Sequence, residues 1–499
     1  MKRITIKSII LLGLWNLFTL NPLIAQSDNW PQFRGINSSG IAAEHQDPPE
    51  RFGAELNMIW NSELSSGQSS PCIWQDNIFI TGYEKEDNLL IMYCLDRTLG
   101  IIKWQKEIRV KEFEKVHFTS SPANATPATD GERVIFYFSS FGLLCFDFDG
   151  ELNWEFPMAI PESMHGMGTS PVISGDLVLL NCFGHNNDPS LLALNKYDGK
   201  ITWKHTSPVQ EDESVNSYST PIVYNDRIII YRSNDVSAYD IYTGNRIWNY
   251  VVNLSTLDAV CTPVIWNDIL YVTLFSTQGN RAMIEEFPDY TAVSHQYDEN
   301  RDSLLSKEEV KDLTWHPYPE KGDLVEPMSV FEMFWIWDAN EDEFIDNSEW
   351  IKVIQDCESL YDRQGLKAIR LGGEGDISFN NFLWGNSDKV PHITSPLYFN
   401  NLVYTVKSGG IVACFDAENG ELQFRERLGA PGAYFASPVI ANNKIYFASL
   451  NGIVTVMEAG NRFNILAKND LDDKISATPA IVDNKLYIRT SSSLSVFGD

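Results

Sequence analysis

Cysteine occurs in this sequence but never in a pattern that does chemistry. The seven residues stand singly at 72, 94, 145, 182, 261, 357 and 414, with no Cys-x-x-Cys, no adjacent pair and no haem-attachment motif. Most lie inside apolar strand-like runs, such as Leu-Leu-Cys-Phe at Cys145, where a thiol behaves as a small hydrophobe, so few or no disulfides are expected. Positive charge is also scarce. With 38 basic against 67 acidic side chains the chain carries a formal −29, which repels phosphate backbones and anionic lipid and argues against a nucleic-acid partner. There is no G-x-S-x-G, no H-E-x-x-H and no phosphate-cradling glycine loop; Gly372-Gly373-Glu374-Gly375 reads as a turn between strands. The histidines, at 45, 117, 165, 185, 205, 295, 316 and 392, show no metal-ligand spacing. No apolar run beyond the N-terminus approaches the ~20 residues that a membrane span requires.

What is present suits a large folded protein: 499 residues, 43% apolar and 12% aromatic. Lys2, Arg3 and Lys7, an apolar stretch from Ile9 to Leu20 and Leu23-Ile24-Ala25 read as a signal peptide over residues 1–25. The alternative, a membrane anchor, fits less well because Asn21 and Pro22 follow a run too short to span. An exported chain, periplasmic or extracellular and without a span once processed, is expected.

A Ser-Pro or Thr-Pro dipeptide followed by a short apolar run recurs eight times, with prolines at 71, 127, 171, 221, 263, 396, 438 and 479. All but one of the gaps fit a unit of about 42 residues lengthened by loops. Each unit also carries a hairpin with Gly in its turn and an aromatic beyond it, as in Cys94 to Trp104, Phe146 to Trp154, Leu194 to Trp203, Tyr239 to Trp248 and Phe415 to Phe424. Four short antiparallel strands per unit, repeated eight times, predict an all-β, eight-bladed β-propeller of four-stranded blades, with the tryptophan packing one blade on the next. An ordinary β-sandwich would not keep the hairpin in register with the prolines. The last unit supplies three strands before Asp499, and Leu56 to Ser62 is an orphan strand carrying Trp60; pairing the two closes the ring.

The Ser/Thr-Pro strands, the Asp-x-x-Thr-Gly-x-x-x-Trp hairpin (complete at 239–248) and the opening Trp30-Pro31-Gln32-Phe33-Arg34-Gly35 resemble the quinoprotein-type propeller repeats. These are exported bacterial proteins described as PQQ-binding-like or outer-membrane-assembly-factor-like. The resemblance covers residues 30–277 and 364–499, and it implies the fold more strongly than an activity. Quinone-dependent dehydrogenases of this fold carry an adjacent cysteine pair beside the cofactor; its absence here, with the lack of a haem motif, argues against PQQ redox chemistry.

One gap, from Pro263 to Pro396, is about three units long. Ile269 to Phe275 reads as the second strand of the fifth blade, with Leu366 to Ile369 and Ile377 to Trp384 as its third and fourth. The division expected is therefore propeller over 30–279, an α-helical insertion over 280–362 and propeller again over 363–499. The insertion contains two twelve-residue loops of EF-hand pattern about 40 residues apart. Asp298, Asn300, Asp302, Ser306 and Glu309, with the carbonyl of Leu304, form one oxygen set. Asp338, Asn340, Asp342, Asp346 and Glu349, with the carbonyl of Phe344, form the other. Hard Ca²⁺ takes six to eight oxygens, and these positions with a bidentate Glu at the twelfth supply them. Leu305 and Ile345 should pair the loops. Ser303 and Glu343 stand where Gly is usual, which implies positive φ at a cost of about 1 kcal/mol each and weakened binding. Helical spacing puts Phe331, Phe334 and Trp335 on one face, and Trp350, Val353, Ile354 and Cys357 on another, as the insertion's own core. His165 and His392, shortly before repeat prolines, are candidates for a channel mouth.

The sequence therefore favours an exported, non-catalytic binding or assembly scaffold with a calcium-holding EF-hand pair and a protein or cell-envelope partner. The alternative is a PQQ-linked or sugar/alcohol oxidoreductase.

Overall fold

A proline cannot donate to a sheet ladder, so a dipeptide ending in proline marks where a strand may begin. In the computed structural model, a strand begins one residue after each repeat proline, at Cys72, Ala128, Val172, Ile222, Val264, Leu397, Val439 and Ala480. The structure describes residues 28–498 apart from 118, 164, 186–187, 208–215, 253–258, 277–287, 316–327, 388–390 and 431. Residues 1–25 and His316 lie outside them.

Each start opens an antiparallel four-stranded sheet, and there are eight: a β-propeller. Blade 1 runs Cys72–Trp74, Asn77–Glu84, Leu89–Asp96 and Ile102–Arg109 from the inside outward. The middle strands are covered on both faces, as in Arg133–Phe138 of blade 2, where five consecutive residues are buried. The outer strands alternate, as in Ile102–Arg109, because only one of their faces meets a neighbouring blade. Met58–Glu63 pairs antiparallel with Ser493–Phe497, so the first strand completes the last blade and no sheet edge is left where the ring meets.

Two side chains of the repeat hold the blades together. The outer-strand tryptophan of one blade donates its indole N–H to a carbonyl just past the third strand of the next. The pairs are Trp60 with Arg97, Trp104 with Phe148, Trp154 with Lys196, Trp203 with Ile241 and Trp384 with Ala417, at 2.8–3.1 Å. The hairpin glycine lies flat on that ring: at Gly199, φ is 68° and an added Cβ would stand 2.6 Å from Trp154. The hydroxyl before each proline makes the inner contact. Ser70 N–H donates to Thr126 Oγ1, Thr126 to Ser170, Ser170 to Thr220, Thr220 to Thr262, Thr262 to Ser395, Ser395 to Ser437, Ser437 to Thr478, and Thr478 back to Ser70, all at 3.0–3.2 Å. This closed circuit is why every unit needs Ser or Thr at that position.

The segment from Trp30 to Ala42 crosses one mouth of the ring. Trp30 bridges Ile73 of blade 1, Thr129 N–H donates to Pro31 O, and Ala42 N–H donates to Ile440 O of blade 7. Arg34 is fully buried; its Nη2 donates to Pro396 O at 2.8 Å, and burial lowers its pKa to about 9.

The chain leaves blade 5 after Leu274 and returns at Gly365, in register opposite it. Between lies a small body with its own core, in which Tyr290, Leu305, Phe334, Trp337, Ile345 and Trp350 are buried together. Two details differ from expectation. The fourth strand of blade 5 is Phe382–Asn386, because Gly375–Asp376 turns aside to pair in parallel with blade 4, giving that blade a fifth strand. Phe331 and Trp335 are 36% and 71% exposed: the helix there spans only Phe334–Trp337, so Phe331 precedes it and Trp335 lies about 100° from its buried face. All seven cysteines are buried free thiols, and among the described residues no helix is long and apolar enough to cross a membrane.

Candidate functional site

Two places gather polar groups. The first is the pair of acidic loops. The short helix Tyr290–Tyr297 leads into the loop beginning at Asp298, and Phe334–Trp337 into the one beginning at Asp338. Asx turns shape both. Asp298 Oδ2 accepts the Ser303 N–H at 2.9 Å and Asp338 Oδ2 accepts the Glu343 N–H at 3.0 Å, which draws each backbone around its first carboxylate. Asn300 and Asn340 accept the N–H groups of Asp302 and Asp342, both at 2.8 Å. Asp302 and Asp342 accept those of Leu304 and Phe344. Ser303 and Glu343 take φ of 67° and 71°, the left-handed conformation that Gly would adopt without strain.

The final glutamates fold back over the loops. Glu309 accepts Glu299 N–H on Oε1 and Ser306 N–H and Oγ–H on Oε2. Partial burial pulls its carboxyl up, but the bonds from Ser306 and the backbone outweigh it and hold the group below its ordinary value. Glu349 accepts Ala339 N–H at 2.9 Å and Asp346 N–H at 3.0 Å, and with Asp346 forms a capping box on the helix Asn347–Arg363. Leu305 pairs with Ile345, and Tyr290 ties the loops by donating to both Ser303 O and Ile345 O. Asp338, Asp342 and Glu349 each offer a carboxylate oxygen within 4.8 Å of the others, in the range a single cation could bridge.

The second place is a cavity of about 260 Å³ on the ring axis. All eight circuit hydroxyl residues line it, with Phe33 from the crossing segment and Lys407. His165 and His392 line it too; His165 packs edge-on to His117 at 5.2 Å, and His392 stacks on Phe275 at 4.3 Å. Sequence reasoning read the Ser/Thr of the dipeptide only as a strand start and missed the circuit. The signal was there, since a hydroxyl precedes the proline in every unit. Nothing in the sequence singled out His117 or Lys407. Among its described lining residues the cavity has neither a carboxylate nor a cysteine. A hard cation needs anionic oxygens, so this donor set does not fit a metal–quinone pair.

A family model described as "Outer membrane protein assembly factor BamB" matches residues 91–287. No curated protein sequence matches the chain. Among solved structures, BamB from Moraxella catarrhalis is similar with a TM-score of 0.52 at 13% identity, covering 88% of this chain and 100% of that one. A europium-containing methanol dehydrogenase is similar with a TM-score of 0.56 at 10% identity, covering 95% and 99%. The quinohemoprotein alcohol dehydrogenase from Comamonas testosteroni reaches 0.53 at 9% identity, covering 95% and 81%. At these identities the solved structures show the fold alone. The family match runs from the third strand of blade 1 to beyond the second strand of blade 5, less than half of the chain.

Proposed function

We propose that the chain is an exported, non-catalytic β-propeller that serves as a binding or assembly scaffold in the cell envelope and holds Ca²⁺ in its paired loops. The observation that carries the calcium reading is the pairing of two complete oxygen sets through Leu305 and Ile345, with Asp338, Asp342 and Glu349 already converging. Asp298, Asn300, Asp302, Ser306 and Glu309, with Leu304 O, would hold one ion. Asp338, Asn340, Asp342, Asp346 and Glu349, with Phe344 O, would hold the other. Positive φ at Ser303 and Glu343 lowers affinity toward the 10⁻⁴ to 10⁻³ M range of extracellular modules. The scaffold reading rests on the match to an assembly-factor family and on an axial cavity without a carboxylate among its described lining residues.

A second reading, a quinone-linked alcohol or sugar oxidoreductase, has the axial cavity and the dehydrogenase-like fold in its favour. Reconstitution with PQQ and Ca²⁺, followed by dye reduction over an alcohol and sugar panel, separates the two. The scaffold reading expects no turnover above the protein-free control, and sustained turnover overturns it. Capture of envelope proteins with and without chelator then tests whether calcium governs docking.

A further inference from the structure

At five seams between blades an indole N–H finds a carbonyl of the next blade. At the seam between blades 4 and 5 it does not. Trp248 is buried, yet its Nε1 has no hydrogen-bond partner among the described residues. The usual glycine is missing from its ring as well. The blade-5 hairpin pairs Gly375 with Trp248 along the outer strand of blade 4; a Cβ on Gly372 or Gly375 would meet nothing within 4 Å, and one on Gly373 would meet Ile377. What this seam has instead is a side chain from the insertion. Leu360, in the last turn of the helix Asn347–Arg363, packs against the core that blades 4 and 5 share, which includes Trp248, Tyr250, Leu270 and Ile369.

That helix is joined to blade 5 without slack. Gln364 alone separates it from the strand Gly365–Arg370. This residue is 4% exposed; its N–H donates to Leu360 O at 3.0 Å, and its Oε1 accepts the Ser276 N–H, just past the neighbouring strand, at 3.4 Å. Gly365 lies so close to the fourth strand that a Cβ would stand 2.2 Å from Asn386 O. At its other end the helix begins inside the second acidic loop, where Asp346 is its N-cap and Glu349 completes the capping box. Both belong to that loop's oxygen set. Carboxylate oxygens of Asp338, Asp342 and Glu349 converge within 4.8 Å of one another, and their mutual repulsion works against the cap unless a cation neutralises it.

Resting on the calcium reading above, we propose that the helix Asn347–Arg363 is a calcium-dependent strut for the propeller. With the second loop occupied the helix is held at its cap, and through Leu360 and Gln364 it holds the seam between blades 4 and 5, where the indole bond of the repeat is missing. A helix of 17 residues carries that restraint over about 25 Å. Local stability varies across a fold with the contacts each segment makes, so the strand Gly365–Arg370 and the blade-4 outer strand Arg246–Val251 are where the restraint should register.

The test is hydrogen–deuterium exchange at short labelling times, read by mass spectrometry on the full-length, chelator-stripped protein with CaCl₂ or with KCl of equal ionic strength. The expected result is a severalfold slowing by calcium in the acidic loops, in the helix, and in both Gly365–Arg370 and Arg246–Val251, while Leu89–Asp96 of blade 1, across the ring, is unchanged. Leu360→Ala/Gln364→Ala should keep the slowing in the loops and lose it in the two strands. Should that double variant fail to fold, Leu360→Ala alone, at a partly buried position, should still diminish it in Arg246–Val251. Slowing confined to the loops and helix, slowing spread equally over all blades, or strands equally protected in the variants overturns the strut and leaves calcium binding standing. No slowing even in the loops ends the calcium reading, and the strut with it.

Discussion

Replacing Thr478 by Val tests whether the hydroxyl circuit holds the ring. Thr478 Oγ1 accepts the Ser437 N–H at 3.0 Å, and its own N–H donates to Ser70 Oγ at 3.0 Å, the link between the last blade and the first. The side chain is 3% exposed, and valine keeps its shape while removing the acceptor. The Ser437 N–H is then left in the interior without a partner, at a cost of about 1–3 kcal/mol. Thr478→Ser keeps the oxygen and loses one methyl, a loss of about 0.8 kcal/mol. Urea unfolding followed by tryptophan fluorescence should therefore rank wild type above Ser and Ser above Val, with unchanged m-values. Equal stability of the Val and Ser variants would show that the circuit contributes nothing beyond packing, and would refute the reasoning.

Other expectations follow from the same contacts. Deleting residues 54–64 removes the strand that closes blade 8 and should lower the melting temperature of the whole propeller; a truncation that melts like the full chain would contradict closure. Gly199→Ala places a Cβ against Trp154 at φ 68° and should destabilise by about 1–2 kcal/mol in the same urea assay. Glu114 is buried, and desolvation raises its pKa from 4.5 to about 7. A carboxyl whose folded value is raised contributes stability fully present below pH 4.5 and lost as pH rises to about 7, a difference of about 3 kcal/mol at most. Glu114→Gln should thus match wild type at pH 4 and exceed it at pH 8, as read from urea midpoints at both.

Much of the fold was legible because the repeat is written in residues with stringent local demands. Proline fixes where each strand starts, glycine fixes the turn, and a tryptophan too large to expose fixes the seam. That is why the blade starts and the closing strand follow from spacing alone. The hydroxyl circuit was harder to read, since a Ser or Thr before proline has a local explanation and its partner lies one blade away. In blade 5 the pattern misled. Ile377 to Trp384 has the look of a strand, but Gly375–Asp376 find hydrogen bonds on blade 4, and the strand waits until Phe382. Periodicity also overreached at Phe331 and Trp335, because a four-residue helix cannot carry a stripe spread over five positions. At the acidic loops the expected pairing of Leu305 with Ile345 and the positive φ at Ser303 and Glu343 are present, because both follow from the twelve-residue loop pattern itself. The geometry adds the Tyr290 hydroxyl that ties the two together.

The central claim is that the paired loops bind a divalent cation, and titration calorimetry with Ca²⁺ on chelator-stripped protein tests it most directly. Wild type should show saturable heat for two ions per chain, and Glu309→Gln/Glu349→Gln, which removes the bidentate ligand from both loops, should lose it. Heats that are indistinguishable between the two proteins would contradict the account.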